Sequence, residues 1–220
     1  LALAAGIPVI DFDIYNFKYD VFRKANAYQV ATTGVEYNTL VSLFSDEKFT
    51  EWDSYRIADI CCGSGNFLLS AYEFIINRYI EYYMKNCLDM AIQKGLLISD
   101  VGNNFKLSYE KKREILQNNI WGVDIDILAV EVAKFSLLIK LIEDSSLYEM
   151  ESFVKNNNCR ILPSLDNNIK NGNSLVDEKY IEFNSNILND PEMVEKIKIF
   201  NWENEFEGEK FDAIVGNPPY

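Results

Sequence analysis

The segment over residues 56–83 restricts the fold more than any other part of the sequence. Residues 56–61 are a short strand candidate, Gly63-Ser64-Gly65 follows as a turn, and a long apolar helix is predicted from Asn66 to about Tyr83. A strand that passes through a glycine turn into a helix is typical of open α/β sheets, in which ligands bind at the carboxyl ends of the strands. Tight turns that bind nothing also need glycine, so for this turn alone the two interpretations are equally good. The segment therefore predicts an α/β fold and leaves ligand binding open.

The same alternation of strands and helices continues along the chain. Residues 120–125 are the next predicted strand, residues 168–173 are a weak third, and residues 211–215 are a strong fourth. The helix predicted from Ile127 to Ile142 has one apolar face. This face consists of Ala129, Val130, Ala133 and Leu137. Alternating strands and helices of this kind predict a doubly wound, mainly parallel sheet.

The other segments are predicted to be helical or irregular. Residues 15–30 space their apolar side chains at helical intervals, residues 39–44 begin a short helix, and residues 1–50 are expected to form a helical segment that leads into the α/β domain. Ser108 is the predicted N-cap of a further helix. Residues 177–209 are rich in acidic side chains, which indicates an insertion between the third and fourth strands.

Both ends of the sequence are abrupt. Residues 1–10 are apolar but lack a starting methionine and a basic region, so they are not interpreted as a signal peptide. Tyr220 closes a motif that is expected to continue. We therefore expect the chain to be a piece of a longer protein and to lack the C-terminal part of the sheet.

Composition excludes several classes of function. The 220-residue chain has no histidine, which removes Ser-His and Cys-His catalysis and histidine-containing zinc sites. Its formal net charge of −13 argues against a self-sufficient nucleic-acid binder, although other parts of a larger protein can hold DNA as a substrate. The four cysteines form no C-x-x-C pair, so neither a metal site nor a disulfide framework is predicted. A reducing cytoplasm is the expected location, and no apolar run reaches the ~18 residues of a membrane span.

Several conspicuous side chains are predicted to be structural. The aromatic residues of the long helix are interpreted as packing residues rather than as a platform for stacking bases. These residues are Tyr72, Phe74, Tyr79, Tyr82 and Tyr83. Lys111-Lys112-Arg113 is interpreted as a solvated helix face rather than as a phosphate contact, and Cys61 and Cys62 as buried small hydrophobic residues.

Two aspartates near the end of the second strand are candidate functional residues. A carboxylate at the position of Asp124 can accept hydrogen bonds from both ribose hydroxyls of a nucleoside cofactor. Asp124 lies 59 residues after Gly65 (124 − 65), against ~20 in the dinucleotide fingerprint. Either the crossover contains an insertion or the site does not bind a dinucleotide. Asp126 is interpreted as the cap of the next helix, although both aspartates are also compatible with solvated strand ends.

Gly216-Asn217-Pro218-Pro219-Tyr220 follows the fourth strand directly. Two successive prolines turn the chain away from the sheet and leave backbone carbonyls without intrachain donors. Asn217 adds a side-chain acceptor and Tyr220 adds a flat ring. Together these groups are suited to a planar group that bears an NH2, which we favour over a proline-stiffened turn with a core tyrosine.

Three segments, in this order, resemble motifs of S-adenosylmethionine-dependent N6-adenine DNA methyltransferases. Asp59 with Cys62-Gly63-Ser64-Gly65 is similar to motif I, Gly122-Val123-Asp124-Ile125-Asp126 to motif II, and Asn217-Pro218-Pro219-Tyr220 to motif IV. The order is similar to the gamma arrangement of type I modification subunits and fused type II restriction–modification enzymes. The resemblance covers residues 34–220 and implies a Rossmann-like class I methyltransferase fold. Residues 51–220 would then be the cofactor-binding methyltransferase domain, truncated after motif IV.

The resemblance also implies roles for individual residues around S-adenosylmethionine. Asp59 and the turn from Cys62 to Gly65 would approach the methionine part of the cofactor. Asp124 would hold the ribose hydroxyls, and Ile125 would pack on the cofactor's adenine. Asn173 stands where the family usually has an aspartate that contacts the adenine amino group, and an ordinary turn asparagine is an equally good interpretation.

A segment near the N-terminus resembles a further family motif. Gly34 and Tyr37 match cofactor-binding positions of that motif. The family usually reads Tyr-Thr-Pro near its end, whereas this chain has Tyr37-Asn38-Thr39. The threonine that would meet the cofactor carboxylate is therefore replaced, or displaced by one position.

The resemblance implies methyl transfer to adenine within a restriction–modification system. The Asn217 side-chain oxygen and the Pro218 carbonyl would accept hydrogen bonds from the target amine and stabilise its developing positive charge. Tyr220 would stack on the base after it is rotated out of the duplex. The alternatives are an acceptor in a protein glutamine amide or an RNA base, and a cofactor-binding module without activity. The expected partners are DNA, held largely outside these residues, and specificity and nuclease subunits or fused domains, with no membrane.

Overall fold

The protein is described here from a computed structural model, which covers residues 26–27, 44–100, 104–177, 192, 196–208 and 210–215. The strands are β1 (Asn26–Ala27), β2 (Ile57–Asp59), β3 (Leu97–Ser99), β4 (Phe105–Leu107), β5 (Ile120–Asp124), β6 (Ile169–Asn171) and β7 (Ala213–Val215). Five of them form one sheet in the order β1-β7-β2-β5-β6, and every pair in it is parallel. This sheet confirms the predicted α/β class.

Helices connect these strands. They are a 3₁₀ helix (Asp46–Ser54), α1 (Asn66–Asn86), α2 (Leu88–Gln93), α3 (Tyr109–Asn119), α4 (Ile127–Ile142), α5 (Leu147–Asn157) and α6 (Trp202–Glu205). Both predicted caps are confirmed: the Ser108 hydroxyl accepts from the Lys111 amide at the start of α3, and Asp126 accepts from the Leu128 amide at the start of α4. In the described part of the chain, no helix is both long and apolar enough to cross a membrane.

Both faces of the sheet are buried, as a doubly wound sheet requires. On one face, Ile57, Ile120 and Ala213 belong to a large apolar cluster that includes side chains from α1, α3 and α4. On the other face, Ala58, Trp121 and Ile214 pack in a second cluster. That cluster is closed by four aromatic residues that precede β7, namely Phe200, Trp202, Phe206 and Phe211. Neighbouring strand residues alternate between the two clusters, so no face of the central strands is left open to water.

The long spacing between the two predicted binding motifs has a structural explanation. The crossover from β2 to β5 contains α1, then α2, the antiparallel β3–β4 pair and α3. This arrangement confirms an insertion in the crossover. The β3–β4 pair was not predicted, although Gly102-Asn103-Asn104 between two short apolar runs is a turn signal in the sequence.

Some N-terminal and acidic segments cannot be compared with the predictions. The helix predicted over residues 15–30 is wrong at Asn26 and Ala27, which pair with β7 as a strand. The open edge of a parallel sheet offers backbone partners that outweigh a local helical pattern. The rest of residues 1–43 and residues 178–191 lie outside the described residues, so the helical segment over residues 1–50 and the domain boundary after it stay predictions.

The aromatic side chains of α1 are packing residues, as predicted. Tyr72 and Tyr79 are almost completely buried, and Tyr83 is 4% exposed. Phe49 of the 3₁₀ helix stacks on Tyr82, with ring centroids 3.5 Å apart. These contacts attach the 3₁₀ helix to α1, ahead of the first central strand.

The prediction of a solvated face at Lys111-Lys112-Arg113 is wrong for both lysines, which are buried. The Lys111 ammonium binds Asp53 at 2.6 Å, and the Lys112 ammonium donates to the carbonyl of Glu143 at 2.7 Å. The 3₁₀ helix and the end of α4 cover this face of α3 and supply oxygen partners, so the long side chains are buried without losing their hydrogen bonds.

Candidate functional site

The strands that carry the first two sequence motifs, and the strand that precedes the third in the sequence, end at one edge of the sheet. Asp59 at the end of β2 pairs with Gly122 of β5 on one side and with Val215 of β7 on the other. Asp124 at the end of β5 pairs with Asn171 of β6. Because all these strands are parallel, their carboxyl ends lie side by side, which is where open α/β sheets bind ligands.

The two glycines of the turn after β2 have different functions. Both have left-handed backbones, with φ of +52° at Gly63 and +84° at Gly65. A Cβ atom on Gly65 would lie 2.9 Å from the Cβ of Ala133, so this glycine allows the start of α1 to pack against α4. A Cβ atom on Gly63 would meet nothing within 4 Å. Gly65 is therefore a packing glycine, whereas Gly63 borders space that a ligand can approach.

Asp124 connects the turn after β2 to the end of β5. Its Oδ2 accepts a hydrogen bond from the Gly63 amide at 2.7 Å, and its Oδ1 accepts from the Asp126 amide at 2.9 Å. Each carboxylate oxygen has two lone pairs, so both oxygens keep acceptor capacity for further donors such as ribose hydroxyls.

Asp59 is a buried carboxyl group at the same edge. Asp59 is only 2% exposed, and its Oδ1 accepts a hydrogen bond from the Cys61 amide at 3.0 Å. Burial raises the pKa of Asp59 from 3.8 to about 7, the hydrogen bonds from Cys61 oppose this rise, and the charge of Asp124 adds to it. The carboxylate form is therefore destabilised at this position.

Cys62 contributes backbone and volume rather than a reactive thiol. It is 6% exposed, and burial raises the pKa of its thiol above the usual value. Its amide donates to the Val123 carbonyl at 3.0 Å. The prediction of a buried small hydrophobic residue is confirmed for Cys62, whereas Cys61 is only partly buried.

The segment between β5 and α4 presents an exposed apolar side chain above a fixed backbone. Ile125 is 46% exposed. Its carbonyl accepts from Asn171 Nδ2 at 3.0 Å and from Lys198 Nζ at 2.8 Å. We did not predict a role for either donor. Asn171 is a polar strand end, as Asp124 is, but Lys198 lies 73 residues from Ile125 and carries no local signal.

Asn173 is engaged in local structure at the end of β6. Its Oδ1 accepts from the Leu175 amide at 3.2 Å, and its own amide donates to the Lys198 carbonyl at 2.7 Å. The first bond is that of an Asx turn, which the sequence offered as one of two interpretations. The other interpretation, contact with the cofactor's adenine, stays a prediction.

The remaining predicted site residues lie outside the described residues. They are Gly34 and Tyr37 near the N-terminus, and Asn217, Pro218 and Tyr220 after β7. In the described part, the open space beside Gly63, the Asp124 carboxylate and the exposed Ile125 are compatible with an adenosine-containing cofactor. They offer backbone approach, hydroxyl acceptors and an apolar surface, respectively.

Comparison with known proteins gives a match to one family and matches to curated proteins. Residues 118–220 match the Eco57I restriction-modification methylase family. The chain is 37% identical over 183 residues to the type II restriction enzyme and methyltransferase RM.Eco57I of Escherichia coli. The aligned region covers 83% of this chain and 16% of that protein. It is 34% identical over 128 residues to the putative type II restriction enzyme and methyltransferase RM.MjaORFECS2P of Methanocaldococcus jannaschii, covering 57% of this chain and 9% of that protein. No solved structure gives a significant match.

The chain thus spans a sixth or less of the length of these curated relatives. The matched segment over residues 118–220 begins just before β5, whose last residue is Asp124, and includes β6 and β7. The longer similarity to RM.Eco57I extends over most of the chain. These matches confirm the resemblance to restriction–modification methyltransferases, because the family is a restriction-modification methylase family and both relatives are named, one of them as putative, as a type II restriction enzyme and methyltransferase.

Proposed function

We propose that this chain carries the cofactor site and the target-amine motif of an S-adenosylmethionine-dependent N6-adenine DNA methyltransferase. One observation carries the proposal: Asp59 pairs with Gly122 of the second motif and with Val215, the residue that precedes Gly216-Asn217-Pro218-Pro219-Tyr220. Two motifs that are far apart in the sequence therefore lie on adjacent strands, and the third follows the neighbouring strand in the sequence. S-adenosylmethionine would supply an activated methyl group there.

The chain's own residues have distinct functions in this proposal. Asp124 accepts hydrogen bonds from the ribose hydroxyls while it keeps the Gly63 amide in place, and Ile125 packs on the cofactor's adenine. The Gly63 backbone allows close approach of the methionine part.

The target amine is held by the residues after β7. The Asn217 side-chain oxygen and the Pro218 carbonyl accept hydrogen bonds from the amine, which localises its lone pair on the nitrogen rather than in the ring. Tyr220 stacks on the flipped base. None of these functions requires a histidine.

DNA is held mainly by other parts of the protein in this proposal. The net charge of −13 does not favour a polyanion, and phosphate contacts normally dominate DNA affinity. Both relatives are named as a restriction enzyme and methyltransferase in one protein, which supports a fused nuclease over a separate subunit. The proposal places the protein in the cytoplasm, where DNA and cofactor are both present.

The test uses the intact protein, DNA and S-adenosylmethionine with a labelled methyl group. The DNA is digested to nucleosides, and the label is identified by chromatography. Asn217→Ala is the test variant and Asn157→Ala is the matched control, because Asn157 is an exposed residue at the end of α5. We expect label in N6-methyladenine for the wild type and for Asn157→Ala, and its loss in Asn217→Ala.

Other outcomes would favour the alternatives. Label in protein or RNA but not in DNA would contradict the DNA substrate and favour a glutamine amide or an RNA base. Cofactor binding without any transferred label would favour a binding module without activity.

A further inference from the structure

We propose that Lys198 is a positioning residue for the adenosine end of the cofactor. It acts by holding the backbone between β5 and α4, from which Asp124 and Ile125 extend. This inference rests on the proposed function, because it assumes that these two residues bind adenosine.

Two side chains hold that backbone from outside the β5–α4 segment. Asn171 Nδ2 donates to the Asp124 carbonyl at 2.8 Å and to the Ile125 carbonyl at 3.0 Å. Lys198 Nζ donates to the Ile125 carbonyl at 2.8 Å and lies 3.4 Å from Asn171 Oδ1. The lysine therefore contacts the carbonyl and the asparagine side chain that holds the same carbonyl.

The backbone of Lys198 is itself fixed against the end of β6. Its carbonyl accepts from the Asn173 amide at 2.7 Å, and the next residue, Ile199, forms a parallel bridge with Asn173. Phe200 packs so closely on Gly172 that a Cβ atom there would lie 2.4 Å from the phenylalanine ring. The ammonium is thus presented to Ile125 from a fixed position.

Lys198 occupies a conformation that a lysine rarely adopts. Its φ is +51°, in the left-handed region that glycine and asparagine favour. A residue without a β-carbon would relieve this strain, but it would also remove the ammonium from the Ile125 carbonyl. Strain retained at such a position supports a functional reason for the side chain.

The expected consequence is a defect in cofactor binding alone. Without the ammonium, the Ile125 carbonyl loses a charged donor, and the β5–α4 backbone that aims Asp124 and Ile125 has more freedom. Loss of a hydrogen bond from a charged group is expected to weaken binding about tenfold. Once the cofactor is bound, the geometry at the methyl group is restored, so kcat at saturating cofactor is expected to stay unchanged.

The experiment compares three variants of the intact protein. Lys198→Met removes the donor, Lys198→Arg keeps one, and Lys196→Met is the control because Lys196 is an exposed lysine of the same segment. Calorimetry gives Kd for S-adenosylmethionine and for adenosine alone, and methylation assays give KM for the cofactor and kcat. We expect Lys198→Met to weaken both ligands about tenfold and to raise KM by the same factor. Lys198→Arg and Lys196→Met are expected to resemble the wild type.

Three results would overturn the inference. The first is a Lys198→Met protein that binds the cofactor within about twofold of the wild type. The second is equal weakening by Lys196→Met, which would indicate a general charge effect. The third is a fall in kcat and thermal stability together without a specific loss of adenosine binding, which would indicate a purely structural residue. Binding of S-adenosylmethionine by the wild type is measured before any variant is tested. Its absence would refute the proposed function itself.

Discussion

Replacing Asp59 with asparagine is expected to stabilise the fold and to weaken cofactor binding. The carboxyl group is buried at the end of β2, and its main protein partner is the Cys61 amide. Asparagine has nearly the same shape and keeps a side-chain oxygen for that amide, so the substitution removes little besides the ionisable group. It therefore isolates the cost of a charge at this position.

The size of the effect follows from the pKa of Asp59, which burial raises from 3.8 to about 7. Between these two values the folded protein binds a proton that the unfolded chain does not, so stability falls as the pH rises. One pKa unit corresponds to about 1.36 kcal/mol, so the ionised carboxylate costs at most about 4 kcal/mol above pH 7. Of this cost, about 2 kcal/mol develops between about pH 5.5 and about pH 8.

Urea denaturation at these two pH values measures the effect. The stability advantage of Asp59→Asn over the wild type is expected to grow by about 2 kcal/mol from the lower to the higher pH. Asp166→Asn is the control, because hydrogen bonds from Lys134 and Ser164 lower the pKa of Asp166. That group is ionised in both the folded and the unfolded state over this range, so its variant is expected to differ from the wild type by a constant amount.

A difference between Asp59→Asn and wild type that does not change with pH would refute the reasoning. It would mean that Asp59 is ionised in the folded state at low pH and that burial does not destabilise its charge. Calorimetry on the same variant tests the functional part. Unchanged affinity for S-adenosylmethionine would show that the carboxylate is not needed to bind the cofactor.

Two further predictions concern packing and pH. Gly65→Ala is expected to lower the free energy of unfolding, measured by urea denaturation, by about 2–4 kcal/mol, because it adds a strained φ and a close contact with Ala133. Gly95→Ala is the control: Gly95 has a similar φ but borders open space, so this substitution is expected to cost less. Equal costs would contradict the packing argument. Burial lowers the pKa of Lys112 from 10.5 to about 8. Between these pH values the unfolded chain binds a proton that the folded protein does not, so the wild type is expected to gain stability as the pH rises. Lys112→Met is expected to lack this gain. If Lys112→Met is less stable than the wild type by the same amount at every pH in this range, the gain in stability does not come from Lys112. That result would contradict the lowered pKa.

The central layer of the fold could be predicted because its signals are local. The predicted helix over Ile127 to Ile142 is confirmed at both ends, since the Asp126 cap and the apolar face lie in one continuous segment. Val130, Ala133 and Leu137 are buried as predicted, whereas Ala129 is only partly buried. The first two motifs lie at one edge because parallel strands place their carboxyl ends side by side.

The features that sequence reasoning missed depend on contacts between distant segments. Lys111 and Lys112 look like surface residues by type, and only the neighbouring elements that cover α3 make them buried and paired. Lys198 contacts Ile125 across 73 residues of sequence and lies inside the acidic segment over residues 177–209. A single sequence contains no pattern that links such pairs.

The carboxyl edge of the sheet combines a destabilised charge with unusual backbone conformations, which are free of strain only at glycine. Asp59 is a buried carboxylate, Gly63 and Gly65 have left-handed backbones, and Lys198 has one without being glycine. The central strands are short, and their stability comes from the apolar clusters on both faces, where Trp121 packs edge-to-face on aromatic neighbours. Substitutions in the face clusters are therefore expected to lower stability, whereas substitutions at edge residues that border open space, such as Gly63, are expected mainly to alter binding. Stability released by Asp59→Asn would show that the edge retains its charge for a reason other than folding.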